Sequence, residues 1–201
     1  LHIPEGVFVP TGTSLALIRA VGDSLRKAGR VCDLGCGAGV VGLALWKMGL
    51  VEGPLCASDL SPAAVCGTIE NCRAFGCPVD ARTGSLFAPW TGEKFDYIVD
   101  DVSGIAEEVA RLSSWFENVP CNAGPDGLLL VADILKHAPR HLRPGGRFFF
   151  PVISFSHVAR LLQLAGEVFS HVELVRHEEW PLPADLYPHL PILERLRGEG
   201  H

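Results

Sequence analysis

Apolar positions along the first third of the chain change period in an informative way. From about Thr13 to Ala28 they return at helical spacing, through Leu15, Ile18, Val21 and Leu25, and Gly29 offers a stop. Short unbroken apolar runs follow, each leading into another helical pattern. RVCDL (30–34) reads as a strand, VVGLALWKMG (40–49) as a helix and LCASD (55–59) as a second strand. Ser61 and Pro62 suit the cap and first turn of a helix running to about Phe75. PVDAR (78–82), FDYIV (95–99) and RFFFPVI (147–153) read as a third, fourth and fifth strand. A helix from about Asp126 to His141 precedes the fifth strand, closed by the turn Arg143-Pro144-Gly145-Gly146. SHVARLLQLAGEVF (156–169) is helical and HVELVRHEEW (171–180) is strand-like. The tail PLPADLYPHLPILERL (181–196) has four prolines and a short helical pattern, with no evident last strand. Alternating helices and strands predict an α/β fold: a Rossmann-like, doubly wound, mainly parallel sheet flanked by helices.

The most informative stretch is VCDLGCGAGVVGLAL (31–45), where a strand runs into Gly35-Cys36-Gly37-Ala38-Gly39 and then a helix. Glycines let the backbone turn tightly and approach a ligand, and a new helix offers free N–H groups. Two cofactor readings compete. Gly37, Gly39 and Gly42 match the G-x-G-x-x-G of dinucleotide binders, but the glycine directly after the strand is Gly35, and that register puts Val40 in the third position. Asp33-Leu34-Gly35-Cys36-Gly37-Ala38-Gly39 instead fills the Asp-x-Gly-x-Gly-x-Gly turn of S-adenosylmethionine-dependent methyltransferases without a gap. Asp59 closes the next strand, where a carboxylate can accept hydrogen bonds from both hydroxyls of a ribose.

Four segments in order resemble the release-factor glutamine N5-methyltransferases and their relatives that methylate exocyclic amines of nucleic-acid bases. These are VFVPTGTSLALI (7–18), the glycine-rich turn, GSLF (84–87) and GPDGLLLVADILKHAPRHLRPGG (124–146). The resemblance implies S-adenosyl-L-methionine as cofactor, held by Asp33, Gly35, Cys36, Gly37, Gly39, Asp59, Leu60, Ser85, Leu86 and Asp101. It breaks where the family has Asn-Pro-Pro-Tyr, which accepts a planar nitrogen. The aligned residues here are Asp101, Val102, Ser103 and Gly104, and Ser85 stands where the family has an aspartate. The fold and cofactor carry over; glutamine or adenine as acceptor does not. A small molecule with a hydroxyl or amine is therefore the expected substrate, ahead of protein or nucleic acid. The alternatives are a protein (glutamine N5) or RNA nitrogen acceptor in a remodelled pocket, and an inactive cofactor-binding subunit whose sheet edge pairs with another chain. An NAD-dependent oxidoreductase is the competing enzyme class.

Asp100 and Asp101 end the fourth strand, and alternation sends their side chains to opposite faces. Asp101 is the expected catalytic group, with Asp100 raising its pKa by like-charge repulsion. One of the pair could instead hold the cofactor's ammonium group, grip an amine substrate, or cap the following AEEVARL helix. Ser103, Trp115 and Phe116 are expected to contact substrate, the two aromatics from a loop over the strand ends. No metal is expected, because ISFSH (153–157) after the fifth strand lacks a carboxylate to complete a magnesium site. His137, His141 and His157 are expected at the surface.

Composition narrows the remainder. The 201 residues fit one domain over 1–198, with 199–201 set aside as a tag remnant. At 48% apolar and 20% charged the chain is globular, and no apolar run is long enough to span a bilayer. The seven cysteines form no C-x-x-C pair and suit reduced thiols, pointing to a cytoplasmic protein. A net charge of −6 disfavours nucleic acid. A homo-oligomer is open.

Overall fold

A computed structural model describes every residue except Ser103, Asn118, Pro120 and His201. Five strands form one sheet: β1 Val31–Leu34, β2 Leu55–Asp59, β3 Val79–Thr83, β4 Phe95–Asp100 and β5 Leu142–Phe149. Their order is β3-β2-β1-β4-β5 and every pairing is parallel. The Rossmann-like, doubly wound arrangement expected from the alternation of patterns is therefore present. The winding reverses between β1 and β4, and in such sheets ligands bind beyond the carboxyl ends of the strands at that reversal.

The described residues also form seven α-helices: α1 Gly12–Ser24, α2 Val40–Lys47, α3 Pro62–Phe75, α4 Glu107–Leu112, α5 Leu129–His141, α6 Val158–Val168 and α7 Leu190–Gly198. The chain divides into two units, Leu1–Val102 with His137–Pro151, and Ser103–Lys136 with Val152–His201.

The first unit holds the sheet and the main apolar core. Val31, Leu55, Val99 and Phe149 from the strands meet Leu17, Val21, Leu43 and Leu45 from α1 and α2. Burial on both faces explains why the strands read as unbroken apolar runs. The Ser61 cap is in place, its Oγ accepting from Ala64 N at 3.3 Å with Pro62 opening the helix. α1 is shorter than its pattern, because the chain turns extended at Leu25. The Arg143-Pro144-Gly145-Gly146 turn lies inside β5: Phe95 pairs with Leu142 and Tyr97 with Arg147, so the turn bulges out between paired residues.

In the second unit, Ile105, Ala106, Val109 and Ala110 pack with Leu186 and Leu196 of the proline-rich tail. Asp185 accepts from Ser114 N at 2.7 Å, and Arg195 forks onto Glu108 with two bonds of 2.6 Å. The tail is thus a clasp on the segment that follows β4. HVELVRHEEW is not a strand, contrary to its alternating pattern. A strand needs a neighbouring backbone to pair with, none of the described strands pairs with this one, and its Leu174 is 82% exposed.

Candidate active site

The glycine-rich turn leaves β1 at Leu34, and Gly35, Gly37 and Gly39 all take positive φ, at 64°, 53° and 76°. A Cβ on Gly35 would lie 2.4 Å from Val102 Cγ1, and one on Gly39 would sit 2.9 Å from Thr68 Cγ2. Only glycine meets both demands. Thr68 donates to the Gly37 carbonyl at 3.0 Å and to the Cys36 sulfur at 3.3 Å, fixing the turn to α3. Burial pushes the Cys36 thiol up, so Cys36 is a small apolar filler of the turn and no nucleophile.

Acids from three strands converge on this turn. Asp33 in β1 accepts from Gly42 N at 2.8 Å, binding the strand to the first turn of α2. Asp59 at the end of β2 accepts from Gly37 N at 2.9 Å through one oxygen and from Ser61 N at 2.8 Å through the other. It therefore bridges the glycine-rich turn and Ser61, the residue that caps α3. Asp100 ends β4 and accepts from Val102 N at 2.9 Å. Asp101 lies just past the strand and accepts from Ser14 Oγ at 2.5 Å. Neither acid caps the AEEVARL helix, whose cap residue is Ala106 with no side-chain bond.

The environments of these acids differ. Asp33 and Asp100 are 1% and 2% exposed. Desolvation pushes Asp33 up to about 7, offset by the Gly42 amide and reinforced by the Asp101 and Asp59 charges. Desolvation likewise pushes Asp100 up to about 8, against the Val102 amide and with Asp101 and Asp33 adding to it. Asp101 keeps part of its surface open and is pushed up to about 6 by desolvation, with the Ser14 bond pulling the other way. Like-charge repulsion is thus a secondary cause, and it falls on Asp100 more than on Asp101.

The loop after β3 completes the rim. Trp90, fully buried, donates from Nε1 to Ser58 Oγ at 3.0 Å, and Ser58 donates to the Leu86 carbonyl at 3.3 Å. Leu86 is held at φ 46°, the left-handed region that costs an ordinary residue about 1–2 kcal/mol. Ser85 beside it is exposed, and Leu60 presents an apolar side chain that is 70% exposed next to Asp59. His141 is not a plain surface residue: it stacks on Phe87 at 4.3 Å between centroids, and burial lowers its pKa. His157 caps α6, its Nδ1 accepting from Arg160 N at 3.3 Å.

Trp115 and Phe116 form a short 3-10 helix in the second unit and flank its apolar cluster, Trp115 lying 6.2 Å from the Phe155 ring. Ser103 lies outside the described residues. Sequence reasoning did not single out Ser14, although it stands in the segment that carries the family resemblance. Among the described residues no cluster of His, Cys, Asp and Glu could hold a metal, and no helix is long and apolar enough to cross a membrane.

The donor set fits S-adenosylmethionine. A left-handed glycine turn, a partly exposed carboxylate at the β2 end, an open leucine beside it and acids that form no ion pair among the described residues suit a ribose, a purine and a positively charged sulfonium with its ammonium. Residues 5–101 match the methyltransferase small domain family. The chain carries a class I S-adenosylmethionine-dependent methyltransferase domain. It is 35% identical to the release factor glutamine methyltransferase of Cereibacter sphaeroides over 148 residues, which are 68% of this chain and 51% of that one. It is 27% identical to ribosomal RNA small subunit methyltransferase C of Alcanivorax borkumensis, across 81% of this chain and 43% of that one. The Thermus thermophilus 16S rRNA N2 G1207 methyltransferase, solved with S-adenosylmethionine and guanosine, superposes on the fold with a TM-score of 0.65. That match has 20% identity and covers 85% of this chain and 42% of that one. The methyltransferase domain spans about half the length of the curated relatives it matches.

Proposed function

We propose that this chain methylates a nitrogen of a protein, using S-adenosylmethionine, in a pocket remodelled from that of the release-factor enzymes. The observation that carries the reading is the Asp101 carboxylate, open at the end of β4 beside a glycine-rich turn built for the cofactor. The expected small-molecule acceptor yields to a macromolecular one because the named relatives act on release factors and ribosomal RNA.

Charge favours protein over RNA. The first unit holds eleven carboxylates against eleven lysines and arginines, whereas the second holds twelve against six. The whole formal charge of −6 therefore resides in the segments that follow the carboxyl ends of β4 and β5. Segments in that position supply recognition in open α/β sheets. An acidic recognition unit repels a phosphate backbone and suits a neutral or basic polypeptide.

Asp33, Gly35, Gly37, Gly39, Asp59, Leu60, Ser85 and Leu86 would hold the cofactor. Bound there, it supplies a methyl carbon on a sulfonium, displaced in line with the electron pair of the broken C–S bond left on sulfur. Asp101 accepts a hydrogen bond from the acceptor N–H, orients the nitrogen lone pair, and takes the proton as the N–C bond forms. With its pKa near 6 it is ionised at neutral pH and ready for that role. Asp100 is held neutral behind it, so only one of the two acids is available as a base at pH 7.

Incubating the protein with methyl-labelled S-adenosylmethionine and a fractionated host extract tests the assignment. Label in protein supports it. Label in RNA or in small molecules would overturn the acceptor while leaving methyl transfer intact, and failure to bind S-adenosylhomocysteine in calorimetry would overturn the enzyme class itself.

A further inference from the structure

The first turns of α1 carry a group that the sequence gives no reason to place at the site. Ser14 is 4% exposed, and its Oγ donates to Asp101 Oδ2 at 2.5 Å, across 87 residues of chain. The neighbouring hydroxyls of Thr11 and Thr13 bond each other at 2.7 Å. A hydroxyl buried this fully needs a partner, and Ser14 has found the one acid of the β4 end that retains open surface. The distance is short enough for a hydrogen bond onto a carboxylate.

The charge of Asp101 acts on Asp33 of β1 and on Asp100, the last residue of β4, both acids. Among the described residues no lysine or arginine forms an ion pair with any of the three. Ser14 supplies a neutral donor where a structural site would have a cation. A fixed cation would neutralise the base and compete with the cofactor's own positive charge, and a hydroxyl does neither. By engaging Oδ2 it also stops the carboxylate from rotating, which leaves Oδ1 to meet the acceptor.

We infer that Ser14 is a positioning residue that fixes the orientation of the Asp101 carboxylate and preserves its charge, and so sets the pH at which the site becomes active. The inference rests on the reading of Asp101 as the group that meets the acceptor nitrogen. Its physical content can be checked without any acceptor. Removing a donor from an ionised group shifts the balance toward the protonated form by about one pH unit.

The test is a carbon-13 NMR titration of the cofactor-free protein labelled at aspartate carboxyls, between pH 4 and 9. Asp101→Asn assigns the resonance. In the unaltered protein Asp101 should titrate near 6. Its midpoint should rise by about one unit in Ser14→Ala and return in Ser14→Thr, which restores the hydroxyl. Thermal unfolding verifies that both variants fold, and Ser14→Cys, a weak donor of similar size, should fall between them. An unmoved midpoint in folded Ser14→Ala overturns the inference. Calorimetry with S-adenosylhomocysteine on the same samples separates the two layers: absent binding sinks the methyltransferase reading and leaves the titration result standing. With an acceptor protein fraction, the acid limb of label transfer should move to higher pH in Ser14→Ala and the plateau rate should fall, both recovering in Ser14→Thr. A limb that stays put in the folded variant would overturn the inference whatever the rate.

Discussion

The two ends of the sheet treat their acids in opposite ways. At the amino end, Asp80, Glu93 and Asp96 are each matched with an arginine. Arg82 pairs with Asp80 and with Glu93 at 2.6 Å, Arg143 with Asp96 at 2.7 Å, and Arg30 with Glu93. The guanidiniums of Arg30 and Arg82 also lie over the rings of Phe95 and Trp90. At the carboxyl end, Asp33, Asp100 and Asp101 have backbone amides and one hydroxyl as partners, and no ion pair among the described residues. Buried acids without cations cost stability, and a fold retains them where they serve a ligand. The amino end is built to hold the sheet, and the proposed function gives the carboxyl end its use, a cationic cofactor and a proton.

The sharpest way to break this contrast is Asp101→Asn. The amide keeps the shape and the Ser14 contact but cannot take a proton, so methyl transfer should fall by at least about 10²-fold. Affinity for S-adenosylhomocysteine, measured by calorimetry, should stay within a few-fold. Undiminished transfer would reduce Asp101 to a binding group. Next in size is Gly39→Ala, which forces a Cβ onto Thr68 at a left-handed position. The turn must shift, and S-adenosylhomocysteine affinity should drop roughly tenfold for about 1–2 kcal/mol of strain.

A third expectation concerns stability. Asp100 has a folded pKa near 8, far above the ordinary value of 3.8. The folded state therefore binds the extra proton between those limits, and stability is lost as pH rises from about 4 towards 8. Asp100→Asn removes that dependence while retaining an acceptor for the Val102 amide. Its melting temperature should exceed that of the unaltered protein by roughly 4 °C at pH 8, with the gap closing towards pH 4. A gap that is constant with pH would mean Asp100 is ionised in the fold.

Much of this was legible in the chain because the determinants are local. The glycine-rich turn, the Ser61 cap and the apolar runs of the strands each depend on a few successive residues, and each stands where its pattern puts it. Long-range features were not legible. Nothing near Ser14 announces a carboxylate 87 residues away, and nothing in GSLF shows that Leu86 must take a left-handed φ to give its carbonyl to Ser58. HVELVRHEEW alternates like a strand, yet alternation states only which faces differ, and a strand exists when another backbone pairs with it. The family resemblance points to the cofactor, and the altered Asp101-Val102-Ser103-Gly104 point to a small acceptor, which the relatives, named for a release factor and ribosomal RNA, weigh against.

The smallest effect lies at the other end of the sheet and completes the comparison. Arg143 and Asp96 are about half and a third exposed, so water and salt screen their pairing. Arg143→Ala should cost only about 0.5 kcal/mol, read as a small change in the urea midpoint. The difference should fade in 1 M salt, and S-adenosylhomocysteine affinity should be untouched. The same salt should hardly move the Asp101 titration, since that group answers to desolvation and a buried hydroxyl in place of a screened charge. If both ends responded alike to salt, the acids at the carboxyl end would be ordinary surface carboxylates, and the case for a reserved catalytic base would fail with them.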